Sequence, residues 1–248
     1  MTHMSSTCTI NHRIHKNVNV QYEHQPQDNT QLKQCRECQQ PIDKLQQHKL
    51  SPILQYCPHC NRLQPINSSS YTYYDIFQLH TYEYNIDKAQ LAKQYKSLQR
   101  ILHPDLYTNA PSTEQSISSD TSSLVNTAYT IMMNDYHRAV YLLELNNVVW
   151  EKTNNSLNNS TELIYVMQIR EQIDECIDHK QYQQLIQLNT ENQIQIDQIT
   201  EILNNTLSPH NEQLKLTQEQ IDSSLPYVAK LSYLIQIQQT IHAHLPST

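Results

Sequence analysis

Apolar residues recur along this chain at helical spacing and seldom in alternation. Leu91, Tyr95, Leu98 and Leu102 fall at i, i+4, i+7 and i+11, one face of an amphipathic helix. Asp87 stands near its start, where a carboxylate suits the positive end of the helix dipole. Pro104 closes it, because the residue before a proline is pushed out of the helical region. Two further helices are predicted over 124–133 and 137–145, after a Ser/Thr-rich stretch, 109–123, that reads as a loop. From Thr161 the pattern is helical almost to the end: about 161–177, 181–203 and 218–244, the last kinked near Pro226. Helices of this length with one or two apolar stripes pack most simply as an antiparallel bundle.

The predicted architecture is therefore all-α: a helical hairpin unit over 71–149 and a C-terminal three-helix bundle over 161–245, preceded by a small tetracysteine module at 32–66. Residues 1–31 form a polar, aperiodic zone, a disordered tail or a targeting segment. Polar linkers at 67–70 and 151–160 separate the folded zones. Hydrophobic residues make up only 38% of the chain, which fits helices with one apolar face each better than one thick globule.

Four of the six cysteines form two CxxC pairs, Cys35/Cys38 and Cys57/Cys60, separated by a spacer over 39–56. Within each pair one tight turn brings both thiolates to one ion, and the spacer returns the chain to complete a tetrahedron, the spacing of a structural zinc site. With four cysteine ligands no position stays open for a catalytic water. A redox CxxC would stand near a βαβ pattern, which is missing. So short a segment with few apolar residues cannot fold on a core of its own; metal ligation supplies roughly 10–16 kcal/mol. His48 and His59 are unnecessary as ligands beside four thiols and read as surface residues. Cys176, late in an apolar stripe, reads as a small core residue.

His103-Pro104-Asp105 follows a helix that carries Lys93, Lys96 and Arg100 at i, i+3 and i+7, one positive stripe. In the first helix of the bundle Val166, Ile169, Ile173 and Ile177 suit a core. Leu163, Ile164 and Met167 lie on an adjoining face and either fill a wider core or form a partner surface.

Taken in order, these stretches resemble a known family. Residues 74–79 (Tyr-Asp-Ile-Phe-Gln-Leu), 94–105 (ending in Leu-His-Pro-Asp) and 124–129 (Leu-Val-Asn-Thr-Ala-Tyr) resemble a J-domain. Residues 138–145 (Arg-Ala-Val-Tyr-Leu-Leu-Glu-Leu) and 163–175 resemble the HscB family of iron–sulfur co-chaperones, in the form with an N-terminal zinc module. The resemblance implies that 71–149 is a J-domain. His103, Pro104, Asp105, Lys93, Lys96 and Arg100 would then meet a DnaK-class ATPase chaperone and stimulate it. It further implies that Leu163, Ile164, Met167, Gln168, Arg170, Glu171 and, on the last helix, Tyr233 bind an IscU-type iron–sulfur scaffold. Two positions depart from the family pattern. Leu106 follows His-Pro-Asp where a basic residue is common, and Gln168 stands where an acidic residue is common. The alternative is a general J-domain and zinc co-chaperone for other clients.

The chain contains no glycine, where average usage would give about 17. Walker and Rossmann phosphate loops are thereby excluded, and helix ends are expected to close on Asn, at 146–147, 154–155 and 204–205. The formal charge of −7 argues against a nucleic-acid binder. The module itself has a net excess of three positive charges, which is modest. No apolar run approaches the roughly 20 residues that a membrane-spanning helix needs, so none is expected. Thirteen scattered His residues pair with no nucleophile, so the chain reads as an activator of a partner's ATPase and not as an enzyme. The stretch 1–22 lacks Asp and Glu and includes Arg13 and Lys16, which points to import into the mitochondrial matrix; a cytoplasmic protein with a polar tail is the alternative.

Overall fold

The computed structural model describes residues 34–79, 82–150, 160–208 and 215–245. The tail 1–31 with Cys8, the linker 151–159 with Asn154-Asn155, and the side chain of Leu163 lie outside the described residues. Two short strands, β1 (Gln46–His48) and β2 (Ser51–Tyr56), precede helices α1 (Tyr73–Ile76), α2 (Lys88–Leu102), α3 (Ser112–Met133), α4 (Asp135–Leu145), α5 (Ser160–Asp178), α6 (Tyr182–Thr206) and α7 (Gln218–His244). The strands pair antiparallel, with a register irregularity at Gln47/His48. Outside this small sheet the fold is helical, as the apolar periodicity predicts.

Helix α2 begins where Asp87 caps it, accepting from the backbone N–H of Ala89 and Gln90. Leu91, Leu98 and Leu102 are buried and Tyr95 is half-buried. Tyr95 stacks on Tyr129 of α3 at 4.0 Å between ring centroids, and its hydroxyl donates to Asn126 Oδ1 at 2.9 Å. Gln99 donates to the same oxygen at 2.7 Å. These contacts set α2 and α3 side by side.

One predicted loop is helix. The Ser/Thr-rich stretch forms the first half of α3, and only residues 109–111 remain outside it. Its inner face is Ile117, Ser118, Thr121, Ser122 and Val125, all buried. The hydroxyls that would favour a loop are consumed by helix carbonyls: Ser118 donates to Leu102 O at 2.8 Å and Thr121 to Ile117 O at 2.7 Å. The close approach of α2 selects these small residues.

Helix ends also correct an expectation. Asn147 takes the left-handed conformation after α4 (φ 65°), as predicted. Asn204-Asn205, by contrast, lie inside α6, and Lys180 closes α5 at φ 53°.

Helices α5, α6 and α7 form the bundle. Its distal end buries Ile173, Cys176, Leu185, Ile237 and Ile241. The proximal end, with Leu203, Leu207 and Leu231, belongs to the same apolar cluster as Tyr74, Leu98 and Met132 of the first helical unit and Ile53, Leu54 and Leu63 of the cysteine module. The module, lacking a core of its own, thus shares that of its neighbour.

Candidate metal centre and two exposed faces

The cysteines occupy two turns of matching geometry. In the first, the N–H of Glu37 points at Cys35 Sγ (3.4 Å), Gln39 N–H donates to Cys35 O (3.1 Å), and Cys35 N–H donates to Gln40 O (2.9 Å). In the second, His59 N–H points at Cys57 Sγ (3.4 Å), Asn61 N–H donates to Cys57 O (2.9 Å), and Cys57 N–H donates to Arg62 O (2.9 Å). Each turn needs a left-handed residue after its second cysteine, normally a glycine's place. This chain uses Gln39 (φ 60°) and Asn61 (φ 55°).

The four ligand sulfurs lie within 4.8 Å of one another. Cys35 and Cys60 are 3.7 Å apart, Cys38 and Cys57 3.8 Å. A tetrahedron of thiolates at the zinc–sulfur distance of ~2.3 Å has edges of about 3.8 Å, so the donor set fits a metal ion. The thiols are free, not paired as disulfides. Burial works against the Cys35 thiolate, yet the N–H groups of Cys38 and Glu37 and the adjoining thiols outweigh it, bringing Cys35 down to about 7. Burial pushes Cys60 up to about 12, and the neighbouring thiols add to this. A cluster that gives up one proton readily and holds another tightly needs a cation before all four can be thiolates. His48 accepts from Leu50 N–H (3.2 Å) and His59 bonds Pro41 O (3.1 Å), so neither histidine belongs to this set.

The first exposed face is the end of α2. Lys93, Lys96 and Arg100 are exposed, as are His103, Pro104 and Asp105. His103 ends α2 and Pro104 opens a short 3-10 turn, Pro104–Tyr107. His103 Nδ1 accepts from the Asp105 N–H at 3.4 Å, and Leu106 N–H donates to His103 O at 2.9 Å. The imidazole thus braces the turn, and the Asp105 carboxylate is largely exposed with one oxygen 3.4 Å from the same nitrogen. Leu106, at 63% exposure, adds an apolar side chain to this polar tip. Tyr107 is half-buried against the core.

The second face lies on α5. Val166 and Ile173 are buried, while Ile164 and Met167 are each 55% exposed. Of the two readings of the second stripe, the filled core therefore fails for these two residues. Gln168, Arg170 and Glu171 are exposed beside them. Arg170 donates to Gln236 of α7 at 3.3 Å, which joins the edges of the two helices. Tyr233 of α7 is half-buried.

Two residues matter structurally that the sequence pattern did not single out. Arg138 is almost wholly buried. It donates to Tyr84 O at 2.7 Å and Met132 O at 2.6 Å, pairs with Asp135, and covers the Tyr84 ring at 4.8 Å. Tyr84 N–H in turn donates to Leu207 O at the end of α6 (3.3 Å). Arg138 thus fastens the first helical unit to the bundle; a charged residue directly before the apolar run 139–143 was the available signal. Glu114 is buried against Arg62 and Leu63 of the cysteine module, and nothing in the Ser/Thr-rich stretch marked it out.

Residues 159–242, the bundle, match the family described as the HSCB C-terminal oligomerisation domain. The human iron–sulfur cluster co-chaperone protein HscB is 31% identical over 122 residues, 49% of this chain and 51% of that protein. The bundle matches the HscB C-terminal family, and the chain is similar to HscB co-chaperones. The Arabidopsis thaliana HscB homolog is 33% identical over 132 residues, 52% of this chain and 50% of that protein. The chain spans about half the length of these curated relatives of the HscB family. The crystal structure of the human HscB co-chaperone superposes with a TM-score of 0.67 at 22% identity, covering 85% of this chain and 97% of that one, and so shares the fold.

Proposed function

We propose that this chain is a J-domain co-chaperone of iron–sulfur cluster assembly. It binds an IscU-type scaffold, stimulates the ATPase of a DnaK-class chaperone, and so couples cluster transfer to ATP turnover without being an enzyme itself. The observation that carries the reading is the pair of exposed faces on one continuous core: a basic helix ending in His103-Pro104-Asp105, and the mixed apolar and charged edge around Ile164 and Met167. The names of the relatives, which are iron–sulfur co-chaperones, support it.

In this reading residues 71–149 are the J-domain and 161–245 the scaffold-binding unit. Asp105 accepts charge-assisted hydrogen bonds from a chaperone arginine. Lys93, Lys96 and Arg100 steer the encounter and make it sensitive to salt. Leu163, Ile164 and Met167 bury apolar area on the scaffold, with Gln168, Arg170, Glu171 and Tyr233 at the rim. Cys35, Cys38, Cys57 and Cys60 hold a structural zinc ion in the module 32–66. The acid-poor stretch 1–22 supports placement in the mitochondrial matrix, which a fluorescent fusion of the whole chain tests.

The deciding experiment measures ATPase turnover of the chaperone with this protein, with and without scaffold. The wild type raises turnover, and more so when scaffold is present. His103→Gln abolishes the stimulation and leaves scaffold binding intact. Changing Leu163, Ile164 and Met167 together to Ala weakens scaffold binding at least ~10-fold, as expected for hot-spot residues. An unchanged affinity would shift the reading to a J-domain protein serving other clients.

A further inference from the structure

The cysteine module and the His-Pro-Asp loop meet at one carboxylate. Glu114, in the first turn of α3, is 5% exposed. One of its oxygens takes Arg62 Nη1 at 2.8 Å and the other takes the Leu63 N–H at 3.0 Å. Both donors stand just beyond Cys60. The Arg62 carbonyl also closes the second cysteine turn by accepting from Cys57 N–H. The first turn reaches α3 as well: Glu37, between Cys35 and Cys38, accepts from the Thr113 hydroxyl.

On its other side the same turn of α3 holds the loop. Gln115 donates to the carbonyls of Thr108 (3.2 Å) and Ala110 (2.9 Å), and the N–H groups of Glu114 and Gln115 both reach Pro111 O at 3.0 Å. Tyr107 of the loop is half-buried with Tyr56 of β2 and Glu114 as neighbours; its burial, and then these two groups, lift its phenol to about 12.

We propose that the cysteine module clamps the His-Pro-Asp loop, with Glu114 as the positioning residue between them. Metal in the four cysteines holds Arg62 and Leu63 in place. Those two hold Glu114, and the first turn of α3 then keeps the loop in the shape that presents His103 and Asp105. Emptying the cysteines releases both donors, leaves a buried carboxylate unpaired, and frees the loop while the α5 face stays as it is. The inference deepens the reading of residues 103–105 as the chaperone contact and rests on it.

Amide hydrogen exchange on the full chain tests the clamp directly, at Leu106 and Ala110, whose N–H groups bond His103 O and Tyr107 O. The proteins are zinc-loaded wild type, wild type after chelation, Glu114→Ala and Arg62→Met. Exchange at both amides rises on the order of 10-fold in the last three, while zinc content of the two variants equals that of the wild type. The protein concentration giving half-maximal ATPase stimulation rises by a similar factor; the maximal rate and the scaffold affinity do not move. Glu114→Gln, which keeps an acceptor for one donor, falls between wild type and Glu114→Ala. Unchanged exchange on chelation or in Glu114→Ala overturns the clamp. If Glu114→Ala also exchanges faster at Leu98 in α2, it has lost its fold, and the chelated wild type decides. If zinc-loaded wild type fails to stimulate the chaperone, the proposed function falls, and the exchange data judge the clamp separately.

Discussion

Single side chains take over work that glycine or a larger core would otherwise do. Gln39 and Asn61 accept the left-handed conformation after each cysteine pair, at a cost that metal ligation of the four thiols would offset. Arg138 and Asp135 sit together at the junction of the two helical units, and Lys88 also reaches Asp135, at 2.8 Å. Burial alone would raise the Asp135 carboxyl; Lys88 and Arg138 outweigh it and hold the group below its ordinary value of 3.8. A depressed folded value means that the stabilisation is complete above the unfolded value and is lost as pH falls through the folded one. The urea midpoint of the wild type should therefore fall on acidification below pH 3.8 more steeply than that of Asp135→Asn. Parallel acid limbs would show that the pair contributes nothing there.

Among the elements, α7 carries its own defect. Pro226 stands inside it, exposed, and cannot donate to the carbonyl four residues earlier. Ser223 donates to Gln220 O at 3.1 Å and Ser224 to Ile221 O at 2.7 Å, so hydroxyls occupy carbonyls of the turn before the proline. Pro226→Ala should raise stability by about 1–3 kcal/mol, since a proline in a helix interior costs about 3 kcal/mol relative to alanine. A chemical denaturation midpoint measures it. Helix α3 teaches the opposite lesson about composition. Its Ser and Thr residues are poor helix formers in isolation, yet they suit the narrow space against α2 and bond the carbonyls they meet.

For the whole molecule, one apolar cluster runs from the cysteine module through the first helical unit into the bundle. Trp150, the chain's single tryptophan, is buried just beyond α4 and donates to the Tyr136 hydroxyl at 3.0 Å. It reports on the region where the first unit meets α7. A shared core predicts one cooperative transition: thermal unfolding followed by Trp150 fluorescence should coincide with loss of helical circular dichroism. Two separated transitions would show that the helical units are independent. Among the described residues no helix is long and apolar enough to cross a membrane.

Much of this could be read from the chain alone because the signals are local. Leu91, Tyr95, Leu98 and Leu102 repeat with the period of a helix. Cys35, Cys38, Cys57 and Cys60 have the spacing of a tetrahedral site, and Pro104 ends α2 whatever surrounds it. The resemblance to the HscB family follows from the order of such segments, and the match of residues 159–242 agrees with it. Tertiary packing settled what depends on neighbours distant in sequence. It made a helix of residues 112–123 because α2 covers them. It left Ile164 and Met167 outside the bundle, and it buried Glu114 and Arg138 as bridges between parts of the fold. Periodicity reports which residues share a face; which face is covered follows only from where the other elements come to rest.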